Sequence, residues 1–290
     1  MEELLPKALE CYAALERESG LRLWEGREIL RYFQSEEERR RWEKKAGNAE
    51  VQAFTKTLRA GEKEGPLAGV NTHGGICIRG GGRVDLGSWL AWWRESVQEG
   101  KCMEEVEFRE EDLTLLEKGL RWRGRSFERV YFCSGYARWK LWDWLPWKAA
   151  KGEFLTLEMP GLELSSIIKK GIFIIPWGER KVRIGATYVW NPLDGEPTEE
   201  AREGLLNDFR RLLPPGIQEG RVLEQRAGVR PILKGNRPML GCHPRHEQLV
   251  LCNGLGSKGA LQAPWAVEHL VEHLEEGRPL DAEVDVAGNI

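Results

Sequence analysis

The sequence predicts a mixed α/β protein of two domains, with a helical and parallel-sheet domain built from both ends of the chain and interrupted by an antiparallel-sheet domain at roughly residues 145–240. Three observations carry this reading. The length of 290 residues suits two units at about 150 residues each. The middle of the chain holds GEFLTLEM, GIFIIPW and KVRIGATYVW, strand candidates rich in Phe, Ile and Val and separated by polar or glycine-containing turns. The end of the chain runs through the strand QLVLC, the turn NGLGSKG and a helix over about 263–276 that Gly277 stops.

Taken in order, Leu4, Leu5, Ala8, Cys11, Tyr12 and Leu15 recur at helical spacing, and Gly20 ends that amphipathic helix. From Glu36 to Lys45 only Trp42 is uncharged. Acidic and basic blocks there can pair along a helix, which favours a solvated face over a nucleic-acid or partner surface. The glycine-rich stretch 69–87 is either a flexible loop or backbone that approaches something closely. A helix is expected behind Ser88, burying Trp89, Leu90, Trp93 and Val97 and stopping at Gly100. RVYFC at 129–133 reads as an apolar strand. Trp139, Trp142, Trp144 and Trp147 fit core or inter-domain packing better than an exposed recognition surface. Thr198 caps a helix with Leu205, Leu206, Phe209, Leu212 and Leu213 on one face. A further strand over 221–229 leads into GVRP.

Composition narrows the function classes. With 41% hydrophobic and 31% charged residues, the chain is not wholly disordered, collagen-like or a coiled coil. Its 43 Lys and Arg nearly balance 46 Asp and Glu, leaving a net charge of -3 and no general attraction to nucleic acid or anionic lipid. No apolar run reaches the roughly 18 residues of a membrane helix, and Glu2, Glu3, Lys7 and Glu10 stand where a signal peptide would be apolar. A cytoplasmic protein is expected. Six scattered cysteines without a CxxC pair fit buried thiols better than a disulfide framework.

The sharpest local motif is Gly254-Leu255-Gly256-Ser257-Lys258-Gly259, a G-x-G-x-x-G between a strand and a helix. A dinucleotide fingerprint would need further βα units after it, and the sequence offers only a short segment to Ile290. Nor is it a phosphate loop of the GxxxxGK[ST] type. Two readings remain open: a ligand contact, in which glycines, helix N–H groups and Lys258 meet a partial negative charge, and a tight structural turn. Cys242, His243, His246 and Cys252 do not have a usual zinc spacing, so no metal is expected. His73 is either a solvent-exposed histidine or a ligand contact.

The segment AGVRPILKGNRPMLGCHPRHEQLVLCNGLGSKGALQAPWAVEHLVEHL resembles the end of FAD-dependent oxidoreductases of the D-amino acid oxidase/glycine oxidase family. There a GxRP element precedes a turn, a strand and a glycine-containing flavin loop that opens the last helix. VYFCSG, GEFLTLEMP, IIPWGERKVRIGAT and GGRVDLGSWLAWW are similar to further family segments, in the same order. The final loop also resembles that of the oxidoreductase part of the tRNA-wobble-uridine enzyme. The resemblance implies an FAD-binding Rossmann-like domain over 1–144 and 241–290, with the substrate domain, an antiparallel sheet, inserted over 145–240. The Rossmann-like domain is expected to be incomplete. Family members begin with a βαβ unit whose GxGxxG holds the FAD pyrophosphate, and no such turn occurs upstream of residue 60. Three alternatives stay open: the sequence is part of a longer protein, a partner chain supplies the unit, or cofactor binding has been lost.

Carried onto this sequence, the resemblance implies that Arg230 fixes a substrate carboxylate over the flavin. The flavin loop of Gly254, Leu255, Gly256, Ser257, Lys258 and Gly259 would face the pyrimidine edge, with Lys258 supplying positive charge near reduced flavin. Ser134 and Gly135 would lie by the pyrophosphate or ribityl chain, and Phe173 and Thr187 would wall the substrate pocket. The alternative for Arg230 is a salt bridge. A glycine-oxidase-like second arginine would stand where Ser257 is, which leaves room for a secondary amine or a larger substrate. The implied reaction is hydride transfer from the carbon beside an amine nitrogen to flavin N5. Competing readings are a tRNA-modifying oxidoreductase, the one case in which nucleic acid is a partner, and a non-catalytic remnant or subunit completed by another chain.

Overall fold

The computed structural model describes residues 3–46, 49–62, 67, 71–100, 102–137, 139–217, 220–233 and 235–289. Helix α1 (Leu4–Ser19) ends at Gly20, whose φ of 69° turns the chain while its N–H caps the Glu16 carbonyl. Strands β1 (Trp24–Gly26) and β2 (Ile29–Tyr32), helices α2 (Glu36–Ala46) and α3 (Ala49–Phe54), and strands β3 (Thr55–Leu58), β4 (Gly75–Ile78) and β5 (Gly82–Val84) follow. Helix α4 (Leu86–Glu99) leads to β6 (Leu113–Leu115), β7 (Leu120–Trp122), β8 (Arg125–Phe127) and β9 (Val130–Phe132). Then come β10 (Ala150–Glu158), β11 (Ile167–Lys170), β12 (Ile172–Pro176), β13 (Lys181–Gly185), α5 (Glu199–Arg210) and β14 (Arg221–Arg230). The chain closes with β15 (Met239–His243), β16 (His246–Asn253) and α6 (Gly259–Glu276).

The chain forms two compact units, one of Met1–Leu23, Asp85–Ala150 and Val229–Ile290, the other of Trp24–Val84 and Lys151–Gly228. The mixed α/β class expected from the sequence is what the structure has. The boundaries differ in three segments: residues 24–84, placed by the sequence reading in the first domain, lie with 151–228, and residues 145–150 and 229–240, placed by it in the inserted domain, lie in the first unit. Backbone pairing is the reason. The second unit carries an eight-stranded sheet in the order β14-β10-β13-β12-β11-β2-β4-β3. Its middle is antiparallel, as expected, but β2 joins β11 in parallel with Leu30 opposite Ile168, and brings β4 and β3 with it.

Alternation builds that unit's core. Leu155, Leu157, Ile168, Ile174, Val182 and Ile184 share one buried face with Leu30, Tyr32 and Leu58, and α5 covers them with Leu205, Leu206 and Phe209. In the glycine-rich stretch, residues 69 and 70 lie outside the described residues, and the rest supplies β4 and β5. A Cβ at Gly75 would sit 2.3 Å from the Arg31 carbonyl oxygen, so this glycine permits a close backbone approach. The charged run forms α2, where Arg39 pairs with Glu36 and Glu43 on the solvated side. Its inner side holds Glu38 against Arg31 and stacks Trp42 on Phe33.

Thr198 caps α5 as expected, accepting from the Ala201 N–H at 3.3 Å. Its hydroxyl also donates at 2.9 Å to Glu153, a carboxylate only 1% exposed that lies 3.7 Å from Lys151. Thr198→Ala is therefore expected to cost about 1–2 kcal/mol, from the cap and the buried hydrogen bond together. A urea midpoint lowered at constant slope is the readout, and an unchanged midpoint contradicts the assignment.

In the first unit β9 lies parallel to β16, with Val130, Tyr131 and Phe132 opposite Leu249, Val250 and Leu251. The sequence reading places these two segments, far apart in sequence, in the one domain built from both ends of the chain, and here they share a sheet. The order is β15-β16-β9, and α6 packs Ala266 and Leu270 against Leu240 and Val250. Helix α1 joins α6 through a hydrogen bond from the Tyr12 hydroxyl to the Ala260 carbonyl. The four tryptophans pack: Trp142 is buried, and Trp139, Trp144 and Trp147 lie around the same core.

Four local expectations need correction. Helix α4 is capped by Asp85, whose carboxylate accepts from the Ser88 N–H at 3.1 Å, rather than by Ser88. Its apolar residues are not buried, since Leu90 is 47% and Trp93 43% exposed and Trp89 and Val97 are only partly covered. Apolar periodicity marks the face a helix can offer a neighbour, without supplying the neighbour. The cysteines are free, but of the six only Cys77 is buried, and Cys102 and Cys133 are exposed. The last helix starts at Gly259, earlier than the expected 263. Among the described residues, no helix is long and apolar enough to cross a membrane.

Candidate functional site

Three segments of the first unit meet where β9 and β16 end. Strand β16 runs into Gly254, whose φ of 81° lets the chain leave the sheet, and a single 3-10 turn over Gly256–Lys258 delivers it to α6. The Gly256 N–H donates to the Pro231 carbonyl at 3.0 Å, and Leu255 bridges to Ile232. This ties the GVRP segment to the glycine loop and places Arg230, half-buried, next to that contact. At the end of β9, Gly135 offers its carbonyl to the Asn253 side-chain amide at 3.0 Å. The same Asn253 accepts from the Gly254 N–H at 2.7 Å.

The structure thus brings together Arg230, Ser134, Gly135 and Gly254, Leu255, Gly256, Ser257, Lys258 and Gly259, all proposed from sequence. Asn253, buried and bonded to both loops, was missed. Its signal was an Asn-Gly step at a strand end, where an Asx-type bond to the backbone is common. The roles within the group divide. A Cβ at Gly254 would lie 2.5 Å from the Leu233 Cδ1, so that glycine serves packing. A Cβ at Gly135, with φ 61°, would meet nothing within 4 Å, which leaves open space beside its backbone. The Ser134 hydroxyl accepts from the Trp139 indole at 2.8 Å, and Ser257 and Lys258 are exposed.

Phe173 and Thr187 belong to the second unit. Phe173, opposite Gly185 on β13, is 41% exposed with the Lys169 ammonium 4.2 Å from its ring centre. The Thr187 hydroxyl accepts from the Glu153 N–H at 2.9 Å, a bond that holds the end of β13 to β10. The motif histidines do not converge with the two cysteines on one point. His243 stacks on His246 and meets Trp142 edge-on, and burial lowers its pKa, with His246 and Arg245 adding to the effect. No group of three or more metal-ligating side chains stands close enough to hold an ion among the described residues. His73 faces Glu36 at 3.3 Å in the second unit.

The description "FAD dependent oxidoreductase" belongs to the family model that matches residues 1–273. The chain is a member of that family. Among the relatives of the chain, a glycine oxidase of Bacillus licheniformis is 26% identical over 134 residues, 46% of this chain and 36% of the relative. The matches span less than half the length of such curated relatives. The fold is similar to the crystal structure of glycine oxidase from Geobacillus kaustophilus, at a TM-score of 0.80 and 23% identity, covering 95% of this chain and 78% of that one. It is similar as well to iminodiacetate oxidase from Chelativorans sp. BNC1, at a TM-score of 0.72 and 21% identity, covering 96% of this chain and 81% of that one.

The residues present fit one side of an FAD site. Two parallel strands end in glycine turns, open space lies beside Gly135, and the first turn of α6 has N–H groups without intrahelical partners beside Lys258. This is the arrangement of an α/β crevice at the carboxyl ends of strands.

Proposed function

We propose that the protein, loaded with FAD, oxidises a C–N bond of an amino acid or a related secondary amine. The observation that supports this is the tie between the GVRP segment and the glycine loop, through the Gly256–Pro231 hydrogen bond and the Leu255–Ile232 bridge, in the residues that directly follow Arg230. Bound FAD supplies the acceptor for the hydride leaving the carbon beside nitrogen. Arg230 grips the substrate carboxylate through two parallel donors and so sets where that carbon lies. Lys258 and the α6 N-terminus put positive charge at the loop, where negative charge grows on reduction. The names of the similar proteins, glycine oxidase and iminodiacetate oxidase, support a carboxylate-bearing amine as the substrate class. Ser257 in place of an arginine leaves room for a nitrogen substituent.

The rest of the FAD site comes, in this proposal, from a βαβ unit outside these residues, on the same polypeptide or a partner. Strand β9 is the last in its sheet among the described residues, and Tyr131 on it and Val267 and Val271 on α6 are each about half exposed. A parallel strand and its helix would cover that edge and face. The 290-residue polypeptide purified on its own is therefore expected to hold FAD weakly. Stoichiometric yellow protein from it would contradict the two-part site.

The substrate class is tested separately, on flavin-loaded protein without oxygen. Glycine, sarcosine and iminodiacetate should bleach the flavin absorbance, and methylamine, which lacks the carboxylate, should not. Bleaching by methylamine as fast as by sarcosine, or by none of the four, overturns the proposal.

A further inference from the structure

Cys133 and Cys252 belong to no role assigned so far. Register brings them together: β9 and β16 are parallel, Val250 faces Tyr131 and Leu251 faces Phe132, so the next pair along is Cys252 with Cys133. Side chains alternate along a strand, which sets both cysteines on the face shared by Val250 and Tyr131. The Cys252 thiol is hydrogen-bonded to the Cys133 sulfur. Neighbouring strands lie about 4.8 Å apart, inside the Cα separation that a disulfide spans.

The two thiols are not equivalent. Cys133 is exposed, while Cys252 is half-buried and packs with Leu255 and Trp265 against the α6 core. The hydrogen bond from Cys252 holds Cys133 below the ordinary thiol range, against the opposing effect of burial. Cys252 is pushed up by the same bond and by burial. An accessible thiolate beside a retained thiol is the pairing that reactive dithiols use.

We infer that Cys133 and Cys252 form a peroxide-reactive dithiol that closes into a disulfide between the roots of the Ser134–Gly135 and Asn253–Gly254 turns. The Cys133 thiolate attacks hydrogen peroxide, so that an S–O bond forms, the O–O bond breaks and hydroxide leaves. The hydroxide takes the Cys252 proton and becomes water. The Cys252 sulfur then attacks the sulfenic sulfur, the S–S bond forms, the S–O bond breaks, and the departing oxygen takes up a proton as a second water. Two electrons pass from the thiols to the peroxide. The covalent link then adds to the Asn253–Gly135 hydrogen bond that already joins these turns.

The inference rests on the dithiol of these 290 residues, and its test uses neither flavin nor an amine substrate. It is tested on the folded 290-residue chain, kept dilute, treated with a few equivalents of hydrogen peroxide, unfolded in an alkylating agent and mapped by mass spectrometry. One cross-linked peptide joining Cys133 to Cys252 is expected, lost on treatment with dithiothreitol. Cys252→Ala should lose the cross-link and leave Cys133 as a sulfenic acid that dimedone traps. Cys133→Ala should leave Cys252 open to alkylation. The wild-type map decides even if a variant fails to fold. Oxidation of exposed Cys102 with Cys133 and Cys252 both still alkylated, or a cross-link from Cys133 to any other cysteine, overturns the inference.

Discussion

Arg230→Lys in flavin-loaded protein is expected to leave flavin content unchanged while slowing reduction by a carboxylate-bearing amine on the order of a hundredfold, the scale of a misplacement of about 1 Å. Lysine keeps the charge. It loses the planar fork whose two donors fix both the distance and the angle of a carboxylate, and a single ammonium lets the substrate pivot. Arg230 is well placed to show this separation. It is the last residue of β14, and the Pro231 carbonyl just after it is held by the Gly256 N–H. Those backbone bonds are untouched by the substitution, so the loop should keep its shape. Anaerobic half-reaction rates normalised to bound flavin are the measurement. Equal rates for parent and variant would remove Arg230 as the substrate clamp, and parallel losses of flavin and rate would make its role one of stability.

Gly254→Ala is expected to destabilise the first unit by about 2–5 kcal/mol. About 1–2 kcal/mol comes from a left-handed backbone that disfavours a Cβ, and about 1–3 kcal/mol from overpacking. The φ of 81° sets the first, and the second arises because the new carbon would lie 2.5 Å from the Cδ1 of Leu233, a fully buried side chain. Gly135→Ala is the control within the same site. Its φ of 61° carries the same kind of strain, but no atom lies within 4 Å of the added carbon, so a loss of only about 1–2 kcal/mol is expected. The two substitutions separate the roles that the sequence motif merges. Gly254 is required by packing, whereas Gly135 borders open space and should weaken FAD when that space is filled. Urea unfolding of both variants checks the ranking, and equal stability would show that Leu233 does not confine Gly254.

Much of the site was legible from residue order. A strand, a glycine turn and a helix at 248–276, the apolar strand before Ser134 and the GVRP element each carry local signals: apolar runs, turn glycines and a proline that ends a ladder. Their likeness to one family in one order pointed to a shared crevice. Asn253 was not legible as a site residue, since its two bonds, one to Gly254 and one to Gly135 on another strand, depend on β9 lying against β16. The second unit shows the same limit. Strands of three or four residues around the charged helix α2 have too little periodicity to choose a sheet, and the β2–β11 pairing draws 24–84 away from the N-terminal helix.

Propensity, capping and patterning act over a few residues, so the sequence alone established the helices at 4–19 and 199–210, the middle strands, the glycine loop and the family resemblance. Pairing across the chain acts over distances that no local pattern encodes. Folding assigned Gly254 to packing and left Gly135 open, exposed the Leu90 and Trp93 face of α4, and set Cys133 beside Cys252. Each of these depends on which segment arrives as a neighbour, and that is chosen by the combined burial and hydrogen bonding of the whole unit rather than by the residues on either side.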